Sequence, residues 1–328
     1  MADPTGQQST ALLADVGGTY TRVALTSDPG VVPPERVRVQ ANAKYRDLAD
    51  MLLTYIDALP DELRPQRAAV AIACPVLGDR VRMTNLDWTF SIEALQEQLG
   101  MTSLRVINDF TAVALSIVHL GAMDVVKIGG GEPVADAAIG VLGPGTGLGV
   151  SGLLPHAGHW VPIAGEGGHV TLAAGNDEED GILRWFRDRY GHVSAERVLS
   201  GDGLADLYTC MAKLKSDALI TADRVTALAT AGQDPVARRT LDLFFSFLGA
   251  AAGDLALTLG ARGGVYLAGG IVPRVLDALR LSPFRERFIE KGRFRQYLQA
   301  IPTCVIVEPY PAFKGLAGLL QQAPPPQA

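Results

Sequence analysis

Ala11-Leu12-Leu13-Ala14-Asp15-Val16-Gly17-Gly18-Thr19, with Arg22-Val23-Ala24-Leu25 close behind, is the stretch whose reading sets the fold. An apolar run enters a Gly-Gly-Thr turn and a second apolar run leaves it. Gly143-Pro144-Gly145-Thr146-Gly147-Leu148-Gly149, behind Ala138-Ile139-Gly140-Val141-Leu142, repeats the arrangement. Glycine lets backbone N–H groups come close to an anion, and threonine adds a hydroxyl donor at the mouth of the turn. Glycine-rich tips are also the ordinary way to reverse a strand. Asp15 weighs against that plainer reading, because a carboxylate leaving an apolar strand at the turn can hold Mg²⁺ directly or through water. Two such turns suggest two halves gripping one polyphosphate from opposite sides. Neither fits the Walker pattern or the strand-to-helix dinucleotide fingerprint.

At 328 residues the chain has length for about two domains and a sizeable core. Its 48% hydrophobic content, 20% charged content and 36 glycines exclude a disordered chain. A net charge of −6 with no Lys/Arg tract argues against nucleic acid or an anionic membrane as partner. Cys74, Cys210 and Cys304 form neither C-x-x-C nor zinc spacing, which fits reduced thiols and a cytoplasmic location. The first ten residues lack the basic and apolar regions of a signal peptide. The apolar stretch near Leu241–Leu259 contains Asp242 and Asp254, falls short of the ~18 uncharged residues of a span, and reads as a buried core helix.

Alternation of the two periodicities predicts strands over 12–15, 22–26, 68–73, 104–107, 138–142, 149–154, 265–268 and 304–307. It predicts helices over 45–59, 92–99, 111–120, 181–190, 204–213, 235–259, 272–281 and 313–320. This is the pattern of α/β layers with helices on both faces of mixed sheets, and the repeated turn makes it a duplicated core with an inter-domain cleft. The expected division is a small domain over 11–119 plus 310–322 and a large one over 120–309. Residues 1–10 and 323–328 read as flexible ends.

Leu104-Arg105-Val106-Ile107 runs into Asn108-Asp109-Phe110 and a helix. Asn108 or Asp109 reads either as a helix N-cap or, at a strand end, as part of a reactive site with Asp109 as general base. Gly165-Glu166-Gly167-Gly168-His169 sets a carboxylate and an imidazole three apart among glycines, and Ser194-Ala195-Glu196-Arg197 puts Glu196 beside a helix start. His169 as a core histidine, Glu166 as a solvated turn and Glu196 as a helix-start carboxylate are the plainer readings. Taken together, an Asp, an Asn, two Glu and a His make a poor anion site. They suit a neutral polyhydroxylated ligand whose O–H donors need fixed acceptors. Beside a phosphate grip, the parts read as phosphoryl transfer from a nucleotide to a sugar hydroxyl.

The motifs Asp15-Val16-Gly17-Gly18-Thr19, Ile72-Ala73-Cys74-Pro75, Met83-Thr84-Asn85, Ile107-Asn108-Asp109-Phe110-Thr111-Ala112-Val113, Gly145-Thr146-Gly147-Leu148-Gly149, Gly165-Glu166-Gly167-Gly168-His169, Ser194-Ala195-Glu196-Arg197-Val198-Leu199-Ser200-Gly201 and Ala268-Gly269-Gly270-Ile271-Val272-Pro273 resemble those of the bacterial glucokinases, in order and spacing, from about residue 11 to 320. That family belongs to the hexokinase–actin ATPase superfamily, so the resemblance implies a two-lobed, duplicated α/β fold of the actin-like ATPase type. It implies that Asp109 takes the proton of the sugar's 6-hydroxyl. Asn108, Glu166, His169 and Glu196 would hold the remaining hydroxyls of glucose. Ala14, Asp15, Val16, Gly17, Gly18 and Thr19 would contact the ATP phosphates, as would Gly145, Thr146 and Gly147, with Gly269 and Gly270 near the adenosine. Asp15 would anchor Mg²⁺ through water. Homodimers are common in the family, and no interface pattern stands out here.

Some positions depart from the family pattern. Tyr20 and Thr21 stand where Asn and a small residue are common, so a bulky ring lies next to the first turn. Pro144 stiffens the second turn, and Phe313-Lys314-Gly315 replaces a glycine- and leucine-rich approach to the last helix. The zinc-binding Cys/His cluster of the related repressor–kinase group is missing. The reading is an ATP-dependent glucokinase. A kinase for another hexose, a sugar-binding regulator without turnover and an actin- or chaperone-like ATPase are the alternatives.

Overall fold

The computed structural model describes residues 10–27, 34–84, 86–214 and 220–322. Asn85 and, apart from Thr10, the ends expected to be flexible lie outside the described residues. The chain divides into two compact units, one holding the residues up to Gly121 and those from Glu308 onward, the other spanning Ala122–Val307.

In the first unit the strands are β1 (Ala11–Val16), β2 (Tyr20–Thr26), β3 (Glu35–Ala41), β4 (Arg67–Ile72), β5 (Arg80–Arg82), β6 (Thr89–Ser91) and β7 (Ser103–Asn108). Five form a sheet of order β3-β2-β1-β4-β7, and β5 pairs with β6 separately. β1 runs antiparallel to β2 and parallel to β4, which runs parallel to β7. β4 is an unbroken apolar run after Arg67, as a strand covered on both faces requires. The helices are α1 (Leu48–Asp57), α2 (Ile92–Gln98), α3 (Asp109–Ser116) and the C-terminal helix (Pro311–Gln321). The last packs along α3, and its final carbonyls are tied to the sheet: Arg105 donates to Leu319 O at 2.7 Å and Arg67 to Leu320 O.

The second unit holds β8 (Val125–Gly129), β9 (Ile139–Pro144), β10 (Leu148–His156), β11 (His159–Ile163), β12 (Gly264–Leu267) and β13 (Thr303–Ile306) in one sheet of order β11-β10-β9-β12-β13-β8. Its helices are α4 (Asp177–Tyr190), α5 (Ala195–Val198), α6 (Gly201–Met211), α7 (Ala222–Thr230), α8 (Pro235–Leu259), α9 (Leu276–Arg280), α10 (Phe284–Ile289) and α11 (Arg295–Ala300). Three antiparallel strands followed by two parallel ones occur here as in the first sheet, so β9 and β10 repeat β1 and β2. The duplication suggested by the two turns is therefore a duplication of topology. α8 is long and apolar enough to span a bilayer, but most of it is buried in this unit's core, its own Phe244, Phe245 and Phe247 included.

Several element ends differ from the sequence expectations. The helix expected from Tyr45 starts at Leu48, because Asp47 caps it by accepting from Asp50 N at 2.8 Å. The helix expected from Thr111 starts at Asp109 and tightens into a 3₁₀ turn over Ile117–His119. The one expected over 272–281 is a 3₁₀ turn, Val272–Val275, followed by α9. Pro144, expected to stiffen the turn, is the last residue of β9 and pairs with Leu148.

Candidate active site

In the first unit, register assembles the site. Val16 pairs with Ile72 and Ile72 with Asn108, so β1, β4 and β7 end together on one edge of the sheet. At a spacing of about 4.8 Å per strand, the Gly17-Gly18-Thr19 turn and Asn108-Asp109 lie about 10 Å apart. The strand carboxyl ends of an α/β sheet are where ligands bind.

The first turn is held from outside. Gly17 N donates to Tyr20 O at 3.1 Å, and Asn42 Nδ2 donates to Gly17 O at 2.8 Å. Asn42 N donates to Thr19 O at 3.0 Å, and Thr21 Oγ1 donates to Asn42 Oδ1 at 2.7 Å. Thr21, a departure from the family pattern, thus orients the side chain that clamps the turn. Tyr20 is 53% exposed. Asp15 Oδ2 accepts from Arg22 Nη1 at 3.1 Å. Burial pushes the Asp15 carboxyl above its usual range, with the Arg22 guanidinium pulling the other way and not compensating.

Of the two readings of Asn108-Asp109, the helix cap is the one the hydrogen bonds display. Asn108 caps α3, its Oδ1 accepting from Phe110 N at 2.9 Å and Thr111 N at 3.1 Å. Its Nδ2 donates to Asp109 Oδ1 at 3.0 Å and to Cys74 O at 3.4 Å. Asp109 Oδ1 also accepts from Phe110 N at 2.8 Å. The cap side chain therefore fixes the neighbouring carboxylate, and Cys74, in the turn that follows β4, supplies the carbonyl that steadies the cap.

In the second unit Gly145, Thr146 and Gly147 join β9 to β10, closed by Gly145 N donating to Gly147 O at 2.8 Å. Gly201 N donates to Gly145 O at 2.8 Å, so the start of α6 abuts the turn. Gly269 has φ +83, and a β-carbon there would meet Pro144 C at 2.9 Å and Gly143 C at 3.0 Å. The backbone crossing at Gly269 is thus close enough to require glycine, whereas a β-carbon at Gly270 would meet nothing within 4 Å.

Leu148 N donates to Glu196 Oε2 at 2.8 Å. Glu196 Oε1 lies 3.9 Å from His169 Nδ1. His169 and Glu166 are exposed, and His169 N donates to Glu166 O at 3.0 Å within the short turn Gly167–His169. A cavity of about 100 Å³ has Thr146, Glu196, Arg197, Ser200 and Asp202 in its walls. The structure so places Gly145, Thr146, Gly147, His169, Glu196 and Gly269 around one strand–turn–strand. Sequence reasoning missed Asn42, whose role depends on a hydrogen bond spanning 25 residues, and the Leu148 N–H, which no side-chain pattern reveals.

Two sheets of one topology, each with a glycine–threonine turn between two antiparallel strands, fit the actin-like ATPase fold of sugar kinases. A family model described as glucokinase matches residues 12–323. The chain belongs to the glucokinase family. It is 48% identical to a glucokinase of Nitrobacter hamburgensis over 96% of this chain and 98% of that protein. A glucokinase of Chromobacterium violaceum is 48% identical over 94% of this chain and 88% of that one. A crystal structure of a glucokinase from an Antarctic psychrotroph superposes with TM-score 0.86 at 35% identity, covering 96% of this chain and 99% of that one.

Proposed function

We propose that this protein transfers the γ-phosphoryl group of ATP to the 6-hydroxyl of glucose, giving glucose 6-phosphate and ADP. The observation that carries the reading is the joint placement, in the second unit, of the Gly145–Gly147 turn against the Glu196 carboxylate, within a chain of the glucokinase family. A phosphate-type turn alone would serve any ATPase of this fold. Acceptor side chains beside the same turn are what a hydroxylated substrate would need.

Each residue has a separate part. Asp109 accepts the proton of the 6-hydroxyl as the new O–P bond forms, help typically worth ~10²–10⁴ in rate. Asn108 holds that carboxylate in one orientation through its Nδ2. Glu166, His169 and Glu196 accept from the sugar's other hydroxyls, and Asn108 adds a further contact. The backbone N–H groups of Gly17, Gly18 and Thr19, with neighbouring Ala14 and Val16, and those of Gly145, Thr146 and Gly147 hold phosphate oxygens. Gly269 and Gly270 lie against the adenosine. The transition state is loose, so positioning and charge stabilisation carry most of the catalysis.

Among the described residues, no three His, Cys, Asp or Glu side chains gather to hold a metal ion. That donor set fits Mg²⁺, which takes most of its ligands from phosphate and water and needs one carboxylate. Asp15 would be that carboxylate, reaching the ion through water while its Oδ2 pairs with Arg22. When bound, the ion neutralises charge on the β- and γ-phosphates. We place the enzyme in the cytoplasm on its cysteines: among the described residues Cys74, Cys210 and Cys304 form no disulfide.

Asp109→Ala tests the mechanism. It abolishes glucose 6-phosphate formation while calorimetric glucose affinity stays within a few-fold of wild type. Parallel loss of binding and turnover would make Asp109 structural, and sugar binding by the wild type without any ADP release would make the protein a regulator.

A further inference from the structure

Gly147 belongs to the second turn, yet what its missing side chain makes room for is the Glu196 carboxylate. A β-carbon there would fall inside any real contact distance of Glu196 Oε2 and 3.1 Å from Cδ, with no backbone atom in the way. The next residue, Leu148, donates its N–H to the same Oε2 at 2.8 Å. Its carbonyl is approached as closely by Gly168, where a β-carbon would overlap Leu148 O and lie 3.2 Å from Leu148 C. Gly168 is flanked by Gly167 and His169 in the short turn that carries the imidazole. The main chain of one residue therefore backs Glu196 on its N–H side and the His169 turn on its carbonyl side.

We propose that Gly147 is a positioning residue of the sugar site: by leaving Oε2 room to reach the Leu148 N–H, it sets the rotamer in which Glu196 meets glucose. The proposal rests on Glu196 being a sugar ligand. It assigns to a residue of the nucleotide turn an effect on sugar affinity that exists with no nucleotide present. Because the same turn holds phosphate, any adjustment of it on ATP binding passes to Glu196, and by linkage glucose alters nucleotide affinity by the same factor.

A double-mutant cycle read by glucose calorimetry without nucleotide tests it, using the full chain as wild type, Gly147→Ala, Glu196→Asp and the pair. The backbone at Gly147 is not left-handed, so alanine is admissible there and only the carboxylate must move. Gly147→Ala alone should weaken glucose about tenfold or more. In the Glu196→Asp background the side chain is one methylene shorter and withdrawn from the new methyl, so the same substitution should cost at most about twofold. Equal losses in both backgrounds, or a Gly147→Ala affinity within twofold of wild type, would overturn the proposal. Should Gly147→Ala fail to fold, recovery of folded protein in the pair demonstrates the contact, and no recovery overturns it. Glu196→Ala run alongside separates the premise: unchanged glucose affinity there removes Glu196 from the sugar site altogether.

Discussion

Replacing Gly315 by alanine sets two effects against each other. Gly315 lies within the C-terminal helix, and there the helix-forming advantage of alanine over glycine is worth about 0.8–1 kcal/mol. Packing opposes it. A β-carbon at Gly315 would overlap Ala112 O and lie 2.8 Å from Ala112 C and 3.0 Å from Ser116 N, all backbone atoms of α3. Backbone cannot swing aside as a side chain does, so the two helices must part by about 1 Å. The C-terminal helix is pinned by Arg67 and Arg105 at its last carbonyls, so the displacement falls on α3. Overpacking of this kind costs typically 1–3 kcal/mol, and backbone overlap places it at the upper end. The net expectation is destabilisation by about 2 kcal/mol, a fall in melting temperature of roughly 3 °C. Function should fall further. Asp109 is the first residue of α3, one turn from Ala112, and a misplacement of about 1 Å can cost ~10² in rate. Thermal melting by circular dichroism and steady-state kcat, with Gly78→Ala as a control that meets nothing within 4 Å, make the test. A melting temperature that rises, as propensity alone requires, together with unchanged kcat, would refute the packing argument.

Three further outcomes are expected. Asp15→Asn should raise the melting temperature at neutral pH while lowering Mg-ATP turnover about 10–100-fold. The sign follows from the carboxyl being held above its ordinary 3.8: its stabilising contribution is full below that value and lost as pH rises through the folded one, so ionised Asp15 is a cost at neutral pH. A parallel drop in stability and turnover in that variant would show that the Arg22 pair outweighs burial. Asn108→Ala should lose the cap of α3, about 1 kcal/mol, and turnover with it, whereas Asn108→Asp keeps the cap and loses turnover alone. Identical melting losses in the two variants would contradict the cap assignment. Tyr20→Asn should lower the KM for ATP, and an unchanged or higher KM shows that the ring does not crowd the phosphates.

What could be read in the sequence was local. The 25-residue helix α8 matches its expected bounds because both ends are written in the chain: Asp234 accepts from Val236 N and Ala237 N, Pro235 opens the helix, and Gly260 closes it at φ 62. The two turns were legible because a glycine-rich tip between apolar runs marks a strand reversal. Three edge strands were not, although a fourth, β7, was expected over 104–107. β3 carries Glu35, Arg36 and Arg38 on an exposed edge, and β8 and β11 have largely unburied patterns, so no apolar run marks them. Within the candidate site, Asp109 and Glu196 were picked out by residue type, each with a plainer helix-start reading beside it. Asn42, 25 residues from the turn it clamps, and the Leu148 N–H that orients Glu196 exist only through tertiary pairing, which one sequence does not display. The Arg22 partner of Asp15 follows from the β1–β2 register and becomes visible once those strands are paired.

The measurement closest to the central claim is coupled detection of ADP release with Mg-ATP across a panel of hexoses. Saturable turnover that depends on glucose, with kcat/KM exceeding that for mannose and fructose, is the expected result. ATP hydrolysis indifferent to sugar, or a preference for another hexose, would contradict it.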